Sequence, residues 1–130
     1  MTDSRPAGDG SPPPLLQHSM RKQLFVIESR CIVEPGGLQP HLESHLLYMI
    51  ELERQGVLFA SGPFSDEAGT AAGHGMTIVR AGSFEEARAI AEGDPFFRQG
   101  LRTFEIRRWT VVEGRISVSI DLSDRTGTLG

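Results

Sequence analysis

The sequence predicts an α+β domain of the ferredoxin-like βαββαβ type with an extra strand near its C-terminal end, and three observations carry that expectation. Apolar residues alternate at period two over Leu24–Val33 and Thr103–Val111, with a shorter apolar run over His74–Arg80. They recur at helical spacing over Leu38–Gln55, and Ser83-Phe84-Glu85-Glu86 opens a second helical stretch. A chain of 130 residues has room for one such domain and not for two.

Taken in order, residues 1–20 supply four of the eight prolines with almost no apolar periodicity, the composition of a disordered tail. In Leu24–Val33, Phe25, Ile27, Cys31 and Val33 share one side of a strand that Glu34-Pro35-Gly36-Gly37 ends. Leu38, Leu42, Leu46, Met49 and Leu52 form the apolar stripe of a helix over Leu38–Gln55, and Gly56 stands just past its end, where a left-handed residue is favoured. Val57–Ala60 and His74–Arg80 read as a β-hairpin with a long Gly/Ala-rich tip. Ser83 and Glu86 have capping-box spacing, which predicts a helix from Ser83 to about Glu92. Asp94-Pro95-Phe96-Phe97 restarts a short helical turn, with Asp94 as N-cap and Pro95 at the first helical position. Thr103–Val111 is a fourth strand, with Phe104 and Ile106 on one face and Trp109 and Val111 on the other. After Glu113-Gly114, Ile116, Val118, Ile120 and Leu122 alternate with polar residues, as in an edge strand. The domain is thus expected over 21–112, with an arm over 113–130.

Two helices cover one face of a four-stranded sheet, so the other face is expected to meet a second copy in a two-fold homodimer. Glu28, Arg30, Glu105 and Arg107 would then pair across that interface or line a cavity. The 13 Lys+Arg against 17 Asp+Glu leave a net charge of −4, which argues against binding nucleic acid by phosphate neutralisation. The longest apolar run, Leu46–Ile50, is far short of a membrane helix, and the N-terminus lacks the basic and apolar regions of a secretory signal. With Cys31 the single cysteine, a reducing, cytoplasmic location is expected.

Helical spacing puts His45 inside the apolar arc of the first helix, shielded from bulk water. Asp94, after the second helix on the same side of the sheet, is placed to be its carboxylate partner. Such a pair suits general acid/base chemistry near pH 7. Asp94 also reads as an N-cap, and one oxygen could cap while the other orients the imidazole. His41 and His45, four apart, would suit a divalent ion if His74, Asp94 or Cys31 completed the set, but no recognised spacing places a third ligand, so neither metal nor cofactor is expected. Tyr48 borders the same side of the helix and could offer its hydroxyl to a substrate. Gly73-His74-Gly75 lacks the features of a phosphate loop. Ser61-Gly62-Pro63-Phe64 is a candidate pocket wall whose Gly and Pro serve the turn. Cys31, mid-strand, reads as buried and inert.

The run from His45 to Gly56 (HLLYMIELERQG), Ser61-Gly62-Pro63, Ser83 to Ala87, Asp94-Pro95-Phe96 and Arg108-Trp109, in that order and spacing, resemble the YCII-related (YciI-like) family over about residues 21–112. The resemblance implies a dimeric α+β barrel similar in fold to muconolactone isomerases. It carries the family's active-site histidine onto His45 and its acidic partner onto Asp94. Where some members have a serine early in the third strand, this chain has Met76, with Thr77 beside it. His41, Tyr48, Thr77 and Phe96 are the candidate substrate contacts. Some family members resemble enzymes of chlorinated hydroxyquinones and other ring-derived catabolites. The expected activity is cofactor-independent isomerisation or elimination (a lyase, dehydrochlorinase-like) on a small cyclic acid. The rival is a non-catalytic metabolite-binding or accessory module of the same fold.

Overall fold

The computed structural model describes residues 10, 11 and 13–130; the rest of the Pro-rich segment, 1–9 and 12, lies outside the described residues. These residues fall into two compact units, Gln23–Thr110 and the residues up to Lys22 taken with Val111–Gly130.

The larger unit is built from β1 (Lys22–Cys31), α1 (Leu42–Arg54), β2 (Leu58–Pro63), β3 (Gly75–Val79), α2 (Phe84–Gly93), α3 (Pro95–Arg98) and β4 (Arg102–Val111). The strands form one sheet in the order β2-β3-β1-β4, the ferredoxin-like arrangement that the sequence predicts. β3 runs antiparallel to both neighbours, with Ile27 and Ser61 each opposite Thr77, and a bulge at Phe59 shifts the register of β2.

Helix ends follow the capping chemistry. Gly56 takes φ +74 just past α1. Ser83 accepts a hydrogen bond from the Glu86 N–H, while the Glu86 carboxylate accepts from Gly82. Two boundaries differ from expectation. The first strand stops at Cys31, and Ile32 and Val33 are exposed, the Ile32 N–H donating instead to the Leu101 carbonyl. The first helix begins at Leu42 rather than Leu38, because Pro35–His41 forms a 3-10 helix with Pro40 inside it. Pro40 has no N–H to donate and its ring disfavours helical geometry at Gln39, so the tighter turn replaces the first turn of α1.

Two apolar clusters fill the space between sheet and helices. Phe25, Ile27 and Val79 from the sheet pack on Ala87 and Ala91 of α2. Cys31, Leu38 and Phe96 form the second, with Leu42 and Leu101 against it. Leu46, expected on the buried stripe of α1, is 48% exposed. Of the four charges expected to pair across an interface or line a cavity, three pair within this chain: Arg107 lies 3.4 Å from Glu28 and 3.9 Å from Glu105.

In the smaller unit, Pro14–Leu16 forms a 3-10 turn where disorder was expected, and the Ser19 hydroxyl donates to the Val112 carbonyl at 2.5 Å. The single strand expected over Ile116–Leu122 is an antiparallel hairpin of β5 (Val118–Asp121) and β6 (Thr126–Leu129). Its turn is set by Asp124, whose carboxylate accepts from both the N–H and the hydroxyl of Thr126. No described helix is long and apolar enough to cross a membrane.

Candidate active site

Asp94 sits at a joint. It is the C-cap of α2 and the N-cap of α3, and its Oδ1 accepts the Phe96 N–H at 2.9 Å. The same Oδ1 lies 2.9 Å from Nδ1 of His45, which projects from the first turns of α1. One oxygen therefore does both jobs that the sequence reading divided between two. With the carboxylate as acceptor, Nδ1 carries the hydrogen and Nε2 is the ring nitrogen left for a ligand. The pair is mostly buried, its side chains 12% and 10% exposed. The His45 ring is further fixed by stacking on Phe96, with centroids 4.2 Å apart and planes 14° apart.

His45 lies on the wall of a cavity of about 750 Å³ between α1, the 3-10 segment and the β2–β3 edge of the sheet. Leu42, Leu46 and Met49 supply apolar wall, so the exposed Leu46 is a lining residue. Thr77 and Ser61 face each other across β3 and β2 with their hydroxyl oxygens 3.0 Å apart, the polar patch of the strand wall. Phe96, itself 1% exposed, forms the floor beside His45.

The other sequence-selected residues are placed as follows. Tyr48 is not on the cavity wall; its hydroxyl donates to the Ile90 carbonyl at 2.7 Å and ties α1 to α2. Burial first, and then the Asp94 carboxylate, push the Tyr48 pKa up. His41 precedes α1 as its N-cap without a side-chain capping bond, and it is not on the cavity wall. His74 Nδ1 accepts the Cys31 N–H at 2.9 Å, and the Cys31 thiol donates to the Val33 carbonyl. Among the described residues no three His, Cys, Asp or Glu side chains converge as a metal-ligand set.

Of the candidate pocket wall Ser61-Gly62-Pro63-Phe64, the first three line this cavity, and they do so from β2, which continues through Pro63, rather than from a turn. Arg102, the first residue of β4, lines the cavity too and carries no motif at all. Its Nε donates to the Gly73 carbonyl at 3.0 Å and its guanidinium carbon lies 4.6 Å from the Phe96 ring centroid. Burial lowers its pKa, against the neighbouring Asp94 carboxylate, which raises it.

Known proteins are similar to this chain in sequence or in fold. The uncharacterized protein YjpA of Bacillus subtilis (strain 168) is 32% identical over 71 residues, which is 55% of this chain and 78% of that protein. Among solved structures, the 5-chloro-2-hydroxyhydroquinone dehydrochlorinase TftG of Burkholderia phenoliruptrix AC1100, in complex with 2,5-dihydroxybenzoquinone, is similar with a TM-score of 0.55 and 23% identity. That likeness covers 66% of this chain and 92% of TftG, and it bears on the fold. The model of the YCII-related domain matches residues 31–110, a span that holds α1, the β2–β3 hairpin, the Asp94 joint and most of β4. On that match the chain belongs to the YCII-related family.

Proposed function

We propose that the protein is a small cofactor-independent enzyme that moves a proton on a small cyclic or aromatic-catabolite acid, with isomerisation or elimination as the outcome. The observation that carries this reading is the 2.9 Å bond between His45 Nδ1 and Asp94 Oδ1 on the wall of a cavity of about 750 Å³. A cavity of that size takes a single substituted ring with room to spare.

In this reading His45 Nε2 takes a proton from a ring carbon beside a carbonyl or enol. The Asp94 carboxylate holds the imidazole in the required tautomer and stabilises the imidazolium that forms. In an isomerisation the same nitrogen returns the proton at another carbon. In an elimination the C–H pair becomes the new C=C bond, the leaving group departs with its own bonding pair as an anion, and the proton stays on His45 until water removes it. Leu42 and Met49 keep bulk water from the imidazole. The dehydrochlorinase activity in TftG's name is one elimination of this type on a protein of the same fold. We take the working unit as a homodimer, since a sheet with both helices on one face leaves the other for a second copy. The lone buried thiol, Cys31, suits a reducing cytoplasm.

The test is a panel of chlorinated hydroquinones, small ring lactones and ring acids, followed by chloride release and ultraviolet absorbance. Any compound turned over by the wild type should be turned over about 10²–10⁴-fold more slowly by His45→Ala and be strongly slowed by Asp94→Asn. A His45→Ala variant as fast as the wild type would sink the assignment. Light scattering should give twice the 14.2 kDa chain mass.

A further inference from the structure

The cavity holds one cation that the acid/base pair does not use. Arg102 opens β4 on the same strand face as Phe104 and Ile106, the face that packs on α2. Its side chain is half-buried and fixed at two points: Nε on the Gly73 carbonyl at 3.0 Å and the guanidinium plane over Phe96 at 4.6 Å. The Gly73 carbonyl is itself held in place. Gly73 has φ +86, and a Cβ there would come within 2.9 Å of Cys31 and Leu38, so only glycine fits.

The two terminal nitrogens of Arg102 have no hydrogen bond or ion pair among the described residues, while no buried side-chain nitrogen is left unpartnered. Both therefore keep access to solvent, and Arg102 lines the cavity. A half-buried guanidinium with its plane fixed and its two outer nitrogens free presents the fork that a carboxylate fills with two parallel bonds. The cavity's own lining carboxylate, Glu53, lies exposed on the last turn of α1 and does not reach it. Phe96 touches both Arg102 and His45, and all three line the same cavity.

We infer that Arg102 is the anion-holding residue of this cavity and that its ligands are small ring compounds bearing a carboxylate. The inference rests on the cavity being a ligand site, as in the reading above, but not on His45 being a catalyst.

The test is calorimetric titration with benzoate and with benzamide, its neutral isostere. The wild type should bind benzoate about tenfold or more tightly than benzamide, the difference that bonds to a charged group supply. Arg102→Gln should erase that preference by weakening benzoate alone, and Arg102→Lys, which keeps the charge but not the fork, should lower benzoate affinity several-fold. Should Arg102→Gln fail to fold, the wild-type preference and the Arg102→Lys result decide. His45→Ala should keep the preference, so a failure of the acid/base reading leaves this result standing. Equal affinity for the two probes in the wild type, no detectable benzoate binding at millimolar concentration, or a preference that survives Arg102→Gln overturns the inference.

Discussion

The two apolar clusters under the helices differ in what they bury beside carbon. Around Phe25, Val79 and Ala87 the buried neighbours are further aliphatic and aromatic side chains, Val57, Leu58, Phe104 and Ile106 among them, and the guanidinium that lies over Phe25 at 5.6 Å belongs to the exposed Arg108. Around Phe96 the apolar packing is threaded with polar bonds: His45 to Asp94, the Phe96 N–H to Asp94, and Arg102 to Gly73. One sheet–helix interface is thus divided lengthwise into an end that holds the domain together and an end that holds charges in fixed positions. Stability and chemistry should separate along the same line.

The sharpest break of that comparison is a pair of truncations. His45→Ala, at the polar end, should lower turnover of any accepted substrate by about 10²–10⁴-fold while leaving the denaturation midpoint close to that of the wild type. Phe25→Ala, in the other cluster, should cost about 3–5 kcal/mol in urea denaturation while the folded fraction keeps its activity. If both lose stability equally, the division fails. Asp94→Ala should do some of each, because it removes the α3 cap as well as the imidazole's partner: about 1–2 kcal/mol, together with a large fall in turnover.

A smaller effect belongs to Tyr48, whose bond to Ile90 stands between the two ends. Tyr48→Phe should cost about 1 kcal/mol. Burial and Asp94 raise its folded-state pKa above the ordinary 10.0, so its contribution is fully present below pH 10 and is lost as pH climbs through the folded value. Alkaline denaturation of Tyr48→Phe should lack that decline. The least effect is expected outside both clusters: Glu28→Gln removes a largely exposed ion pair with Arg107 and should change stability by less than about 1 kcal/mol.

The order of strands and helices was legible because each carries a local signal, whether period two, period 3.6 or a cap such as Ser83, Asp94 or Gly56. Where one local signal competes with another, the sequence misleads. The apolar stripe through Leu38 and Leu42 looked continuous, and Pro40 decided otherwise. The alternation of Ile116 to Leu122 hid the turn that Asp124 makes just beyond it. In the candidate site, His45 stood out as a polar residue on an apolar arc. Arg102 did not, since a cation at a strand's first position is ordinary in sequence. Its setting comes from Gly73 and Phe96, distant along the chain and near only after folding.

Asp94 closes one helix and opens the next with no residue between them. That joint is tolerant of what flanks it but not of length. A residue inserted or deleted between Ala91 and Asp94 would turn the carboxylate by about 100° about the helix axis and carry it off His45, even with both helices intact. Homologues of this chain should therefore vary freely over residues 65–70 of the tip between β2 and β3, keep Gly73, and hold the spacing from Ser83 to Asp94 constant, and an engineered loop or fusion belongs within 65–70.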